Sequence, residues 1–205
     1  IPIIISSYFL LINIGIWSIF PIWLLCGLID VSRHKTMNLK LIKEYFLGKG
    51  FLTFVLSPLN LFADLLSFRN LHTFKIEDLP LGHQDEINAV ISLFDKHAKG
   101  IADRFNKNIE DNRTMLFYKW YGYKLDESIE EFNNDYKYIK TIGVSLFRQK
   151  TSTSRHFGPL RMTYRILYNF NKVKKEGSYI EADGRINKWK YEPLFIFDDT
   201  LIHQS

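Results

Sequence analysis

Cysteine is all but absent from this chain, and the single Cys26 excludes an internal disulfide. It equally excludes zinc or iron–sulfur sites built from several thiolates. No glycine-rich phosphate loop, internal repeat or low-complexity tract occurs. Charge is missing from one long stretch: the opening run IPIIISSYFLLINIGIWSIFPIWLLCGLI carries none, and Asp30 is the first charged residue. What remains is ample for a core. Of 205 residues, 46% are apolar and 16% aromatic, which excludes a disordered chain and suits one domain with an appendage.

A helix needs about 20 apolar residues to cross a bilayer, so the uncharged run is long enough to span one. A secretory signal has a shorter apolar region ending in a small-residue cleavage site, which this run lacks. Leu25 stands before Cys26, where a lipoprotein signal requires a small residue. The favoured reading is therefore a transmembrane anchor over 1–29, kinked or ended at Pro21, with a buried core helix as the alternative. Arg33, Lys35, Lys40, Lys43 and Lys49 follow against only Asp30 and Glu44, which predicts a single-pass protein with the remainder of the chain in the cytoplasm. Residues 30–75 read as a basic juxtamembrane and amphipathic segment. Its apolar part, GFLTFVLSPLNLFADLLSF, is divided by Pro58 and carries Asp64. It is either an interfacial helix or a helix packed on the folded domain.

Residues 76–205 read as the folded domain. Ile87, Val90, Ile91, Phe94, Ala98, Ile101 and Phe105 recur at helical spacing and predict a helix over 81–108. His83 and His97 there are surface or core histidines. TMLFYKWYG is an aromatic strand ended by Gly122, and LDESIEEFNNDY a short helix. YIKTIGVSLF, MTYRILYNF and PLFIFDD are further strands, the second with Thr163, Arg165 and Leu167 on one face. SYIEADGRINKWKY is a hairpin turning at Asp183-Gly184, a type I′ signal. Closely spaced strands joined by short turns predict an antiparallel sandwich or barrel with flanking helices.

Two histidines end strand-rich segments: His156 in TSTSRHFGP and His203 in FDDTLIH. Strand ends hold ligands rigidly, and imidazole suits iron, zinc or copper. Asp198 and Asp199 stand just before His203. Successive strand residues face opposite ways, so one of them at most faces a metal. Asp199 is the candidate catalytic residue for holding a metal-bound water or orienting a ligand; a solvated strand-end pair is the alternative.

The segments RHFGPLRMTYRIL and GSYIEADGRINKWKYEPLFIFDDTLIH carry a further signal. A histidine is followed by Gly-Pro, an arginine stands nine residues after it, a hairpin leads to Trp189, and Phe-Asp-Asp-x-x-x-His closes the chain. In these motifs the sequence resembles the aspartyl/asparaginyl β-hydroxylase family of Fe(II)/2-oxoglutarate-dependent dioxygenases, nearest its lipid A 2-hydroxylase branch through LFYKWYG. The resemblance covers residues 114–205 and implies a double-stranded β-helix, or jelly roll, behind an N-terminal transmembrane helix. It implies that His156 and His203 bind Fe(II), that Arg165 and Ser145 bind the co-substrate 2-oxoglutarate, and that an unactivated carbon is hydroxylated. On this reading the acceptor is an acyl chain of lipid A at the bacterial inner membrane, or an aspartyl or asparaginyl side chain of a protein.

Three departures accompany it. Gly158 stands where the lipid A branch carries a carboxylate, a feature shared with the peptide-hydroxylating branch. Leu167 replaces a histidine that contacts the co-substrate. A second arginine, expected about ten residues after His203, would lie beyond Ser205, so the jelly roll reads as truncated at its C-terminus. The chain begins with Ile rather than Met, which likewise predicts a missing start. A non-catalytic jelly-roll binding module is the competing reading. Nucleic-acid binding is set aside, because Lys119 and Lys124 in FYKWYGYK make too sparse a patch. The residues specify no oligomeric state.

Overall fold

Uncharged helices need partners for their apolar surface, and strands need neighbours for their backbone, so the fold follows from who covers whom. The computed structural model describes residue 6 and residues 19–66, 73–108, 113–147, 151–171, 173 and 176–205. They fall into two units, one of Ile1–Phe74, Ser154–Leu167 and Lys175–Ser205, the other of Lys75–Thr153 and Tyr168–Lys174.

From residue 19 the described part of the first unit holds four helices: α1 (Ile19–Ser32), α2 (Leu39–Leu47), α3 (Phe51–Val55) and α4 (Ser57–Leu66). Asn38 starts α2 by accepting the Leu41 N–H at 2.9 Å on its side-chain oxygen, satisfying one orphan donor of the first turn. Leu56 separates α3 from α4, and Pro58 falls in the first turn of α4, where its missing N–H costs no helical bond. All three later helices pack on α1 or on one another. Val31, Leu41 and Tyr45 then meet Phe157 and Ile202 from the β-rich part of the unit in one buried cluster. Tyr45 and Phe157 meet edge-on at 5.5 Å, a geometry that aromatic quadrupoles favour.

The transmembrane expectation does not hold. Among the described residues no helix is long and apolar enough to cross a membrane, which removes the single-pass topology and the cytoplasmic placement read from it. Residues 1–5 and 7–18 of the apolar run lie outside the described residues. The described remainder is the 14-residue α1. Its far end is also chemically wrong for lipid. Asp30 is fully buried and ion-paired with the equally buried Arg161, and it accepts the Tyr45 hydroxyl at 2.6 Å. Arg161 reaches Asp64 of α4 at 3.4 Å and donates to the Thr200 hydroxyl at 2.5 Å, while Arg33 pairs with Asp64 from the other side. The segment 50–68 accordingly contributes helices packed within the unit, with Thr53, Ser57, Asn60 and Ala63 buried.

Five strands of this unit and one that leaves it build two sheets. The orders are β1–β8–β5 (Thr73–Phe74, Leu194–Asp198, Tyr164–Tyr168) and β7–β6–β9 (Arg185–Lys188, Tyr179–Ala182, His203–Gln204). The predicted hairpin forms with Ala182 opposite Arg185. Its turn has φ of 47° at Asp183 and 82° at Gly184, the two positive values a type I′ turn requires. Ile180, Ala182, Phe195, Phe197 and Leu201 form the core between these strands, with Leu167 and Trp189 packed on it.

The second unit holds α5 (Leu81–Asn108) and the sheet β3–β2–β4 (Tyr123–Lys124, Arg113–Trp120, Ile142–Phe147). Val90, Phe94, Ile101 and Phe105 of α5 bury against Tyr118, Ile142 and Val144 of the sheet. The expected short helix is one 3-10 turn, Glu130–Asn133. The described strands thus form separate three-stranded sheets in a mixed helix and sheet architecture, so the mainly-β jelly roll is not the fold. Strand positions were local information; strand partners were not.

Replacing Arg161 leaves Asp30 and Asp64 without their shared counter-ion in a buried place. Arg161→Met is expected to lower stability by about 3–5 kcal/mol, read as a drop in the urea midpoint, and adding Asp30→Asn should recover part of it.

Candidate metal centre

His156 and His203 face each other across an isolated antiparallel bridge. The His156 N–H donates to the His203 carbonyl at 3.1 Å and the His203 N–H to the His156 carbonyl at 2.9 Å. Strand alternation then separates the neighbours. Phe157 and Ile202 enter the helical core, while the two imidazoles sit together with ring centroids 4.1 Å apart.

Each imidazole is oriented by the same device. Nδ1 of His156 lies 2.8 Å from the Ser154 carbonyl, and Nδ1 of His203 lies 2.7 Å from the Leu201 carbonyl. A carbonyl can only accept, so each Nδ1 carries a hydrogen. His203 is buried, and its Nε2 has no hydrogen-bond partner. Burial is the main cause that drives its pKa down to about 4, with the His156 ring and the Arg165 charge adding to the effect. The ring is therefore neutral near pH 7. Phe197 closes one side at 5.0 Å between centroids.

Asp199 stands beside the pair, 4.0 Å from its Oδ1 to the His203 Nε2. Its Oδ1 is ion-paired with Nε of Arg165 at 2.7 Å, and the Arg165 side chain is 42% exposed, so solvent reaches the guanidinium. The neighbouring Asp198 faces differently: its Oδ1 accepts the Thr200 N–H at 2.7 Å and the Thr200 hydroxyl at 2.6 Å. Burial above all, and then the Asp199 charge, push Asp198 up to about 7 against the pull of Arg161 and Thr200.

Gly158 explains its own lack of a side chain. A Cβ there would lie 2.2 Å from Oδ2 and 2.3 Å from Cγ of Asp199. The Gly158 N–H donates to the Asp199 carbonyl at 2.7 Å, which fixes the close approach. The Asp199 carboxylate thus fills the space into which a side chain at 158 would grow.

Of the residues expected from sequence, His156, His203, Asp199 and Arg165 come together in the first unit. Ser145 belongs to the second unit, exposed on β4 opposite Met115. Leu167 packs on the apolar core of Ile180 and Phe195. Arg161 and the contact between Gly158 and Asp199 were not anticipated, and no spacing in the sequence signals them. Among the described residues no group of three or more His, Cys, Asp and Glu side chains is arranged to hold a metal ion. The pair does fit one, because both rings are fixed at Nδ1 and the neutral His203 keeps a buried Nε2 without a hydrogen-bond partner. A cavity of about 350 Å³ lined by Lys40, Lys49, Arg155 and Ile202 is a separate feature, since neither imidazole lines it.

No protein-family model, curated protein or solved structure matches the chain.

The imidazole of His203 is expected to titrate near pH 4 by NMR rather than near 6.5. Between those values the unfolded chain takes up a proton that the folded one refuses, so this group's contribution to stability falls as the pH drops through that window. Gly158→Ala should cost about 1–3 kcal/mol in urea unfolding, because the added methyl can be housed only by displacing Asp199.

Proposed function

We propose that the chain is a mononuclear iron enzyme of the Fe(II)/2-oxoglutarate-dependent dioxygenase type, in which Nε2 of His156 and of His203 hold the metal. The observation that carries this reading is the matched pair of Nδ1 contacts to the Ser154 and Leu201 carbonyls on rings 4.1 Å apart, with the buried Nε2 of His203 left without a partner. A neutral His203 tied at Nδ1 suits a metal far better than a proton relay, where one nitrogen must titrate near pH 7. The motifs through which the sequence resembles the aspartyl/asparaginyl β-hydroxylase family supply the choice of iron and of the co-substrate. Iron, when bound, supplies dioxygen activation coupled to oxidative decarboxylation of 2-oxoglutarate, ending in hydroxylation of an unactivated carbon.

The protein's own part is binding and orientation. Arg165 is the cation for the far carboxylate of 2-oxoglutarate; it already pairs with a carboxylate and remains open to solvent. Phe197 and the apolar cluster behind it keep water from one side of His203. The acceptor follows from position 158. Glycine there favours an aspartyl or asparaginyl side chain of a protein over an acyl chain of lipid A, whose main support was an anchor helix.

Leu167 and the engagement of Arg165 by Asp199 favour a second reading, a metal-binding domain without hydroxylase turnover. Anaerobic Fe(II) titration, followed by measurement of succinate formed from 2-oxoglutarate in air, separates the two. One iron per chain is expected, with His156→Ala and His203→Ala each weakening binding by at least about 10-fold. Succinate formation supports the dioxygenase; metal binding without it selects the second reading, and absence of metal binding removes both.

A further inference from the structure

Three cations that share a cavity and meet no anion there require an explanation. The cavity of about 350 Å³ in the first unit takes Lys40 and Glu44 from α2, Lys49 from just after it, and Ser154 and Arg155 from the segment ahead of the His156 bridge. Leu41 and Ile202, both buried, give it an apolar floor. Among the described residues Lys40, Lys49 and Arg155 take part in no ion pair. The carboxylate in the lining is engaged elsewhere. Glu44 stands one turn after Lys40 without pairing with it, and its Oε1 accepts the Lys49 backbone N–H at 3.1 Å. Gly48 makes room for that contact, since a Cβ there would lie 2.8 Å from the Glu44 carboxylate carbon.

Ser154 adds a donor of its own. Its hydroxyl oxygen accepts from the Lys49 ammonium, which leaves the hydroxyl hydrogen to be given. The ammonium keeps further N–H groups, and Arg155 contributes a planar fork suited to phosphate oxygens. We propose that this cavity binds a small phosphate monoester, its phosphate held by Lys40, Lys49, Arg155 and the Ser154 hydroxyl and its apolar body laid on Leu41 and Ile202. A phosphate monoester carries roughly −1.5 to −2 charges at pH 7, which answers three cations better than a single carboxylate would. The volume lies at the lower end of the range of about 300–1,000 Å³ that small-molecule sites occupy. The site does not depend on the metal-centre reading, yet it adjoins that centre. The Ser154 residue whose hydroxyl faces the cavity also supplies the carbonyl that holds Nδ1 of His156 at 2.8 Å.

Calorimetry with phenyl phosphate on the full chain at constant ionic strength tests this, with circular dichroism to check that each variant folds. Saturable binding of one ligand per chain is expected. Lys49→Met and Arg155→Met should each weaken it by about 3- to 5-fold, the worth of a part-exposed ion pair, and together by about 10-fold or more. Lys43→Met, which removes an exposed α2 lysine outside the cavity, should leave the affinity unchanged. Absence of saturable binding overturns the proposal. So does an equal loss in Lys43→Met, which marks diffuse charge attraction rather than a site. Benzoate binding as tightly as phenyl phosphate overturns the phosphate assignment, and tighter binding to phosphatidic acid vesicles than to phenyl phosphate overturns the small-molecule one. Because the measurement needs no metal, its failure leaves the iron reading standing, and failure of the iron titration leaves this site standing.

Discussion

The first unit depends on one buried guanidinium. Arg161 is fully enclosed, and a charge in that position is tolerable only because Asp30 and Asp64 meet it directly. Those two carboxylates come from α1 and α4, and Arg161 itself follows the His156 bridge. Thr200, which accepts from Arg161, stands between Asp199 and His203. A single ion cluster therefore ties two helices to both strands that carry the imidazoles. Arg33 balances the count on the Asp64 side, and Tyr45 gives its hydroxyl hydrogen to Asp30. Burial above all, and then the Asp30 charge, push the Tyr45 phenol well above its ordinary pKa, so it remains a donor.

That cluster also accounts for the largest error of the sequence reading. Hydropathy counts apolar residues along a line and treats Asp30 as the place where the run ends. Its partner lies 131 residues away, and no periodicity links them. The lone Asp64 in an apolar stretch was the visible hint, since an unpaired carboxylate there would be expensive in lipid or in a core. Local signals fared better. The spacing of Ile87, Val90, Phe94, Ile101 and Phe105 describes α5, and Asp183-Gly184 takes the two positive φ values its turn needs. The strands lie near where alternation and β-branched content suggest, yet their grouping into small separate sheets depends on pairing between distant segments. A jelly roll and these sheets use similar strand texture, so texture alone could not choose between them.

At the site, sequence marked His156 and His203 as strand-end residues, and the bridge between their backbones brings the rings together. It could not supply the carbonyls that fix each ring. Ser154 and Leu201 act through backbone oxygens, which any residue type offers, so their identity carries no signal. Nor could it relate Gly158 to Asp199. Read separately, one is a missing carboxylate and the other a strand-end acid; in space they describe a single volume with a single occupant.

That shared volume has a consequence for how such a chain can change. A side chain at 158 and the carboxylate of Asp199 exclude each other sterically, so no intermediate carries both in this packing. Moving the acid from one strand to the other is a two-step exchange that passes through a chain with neither, or through one with its turn rebuilt. The two arrangements are separate solutions with a barrier between them, and a drift of single substitutions would remain on the side where it began.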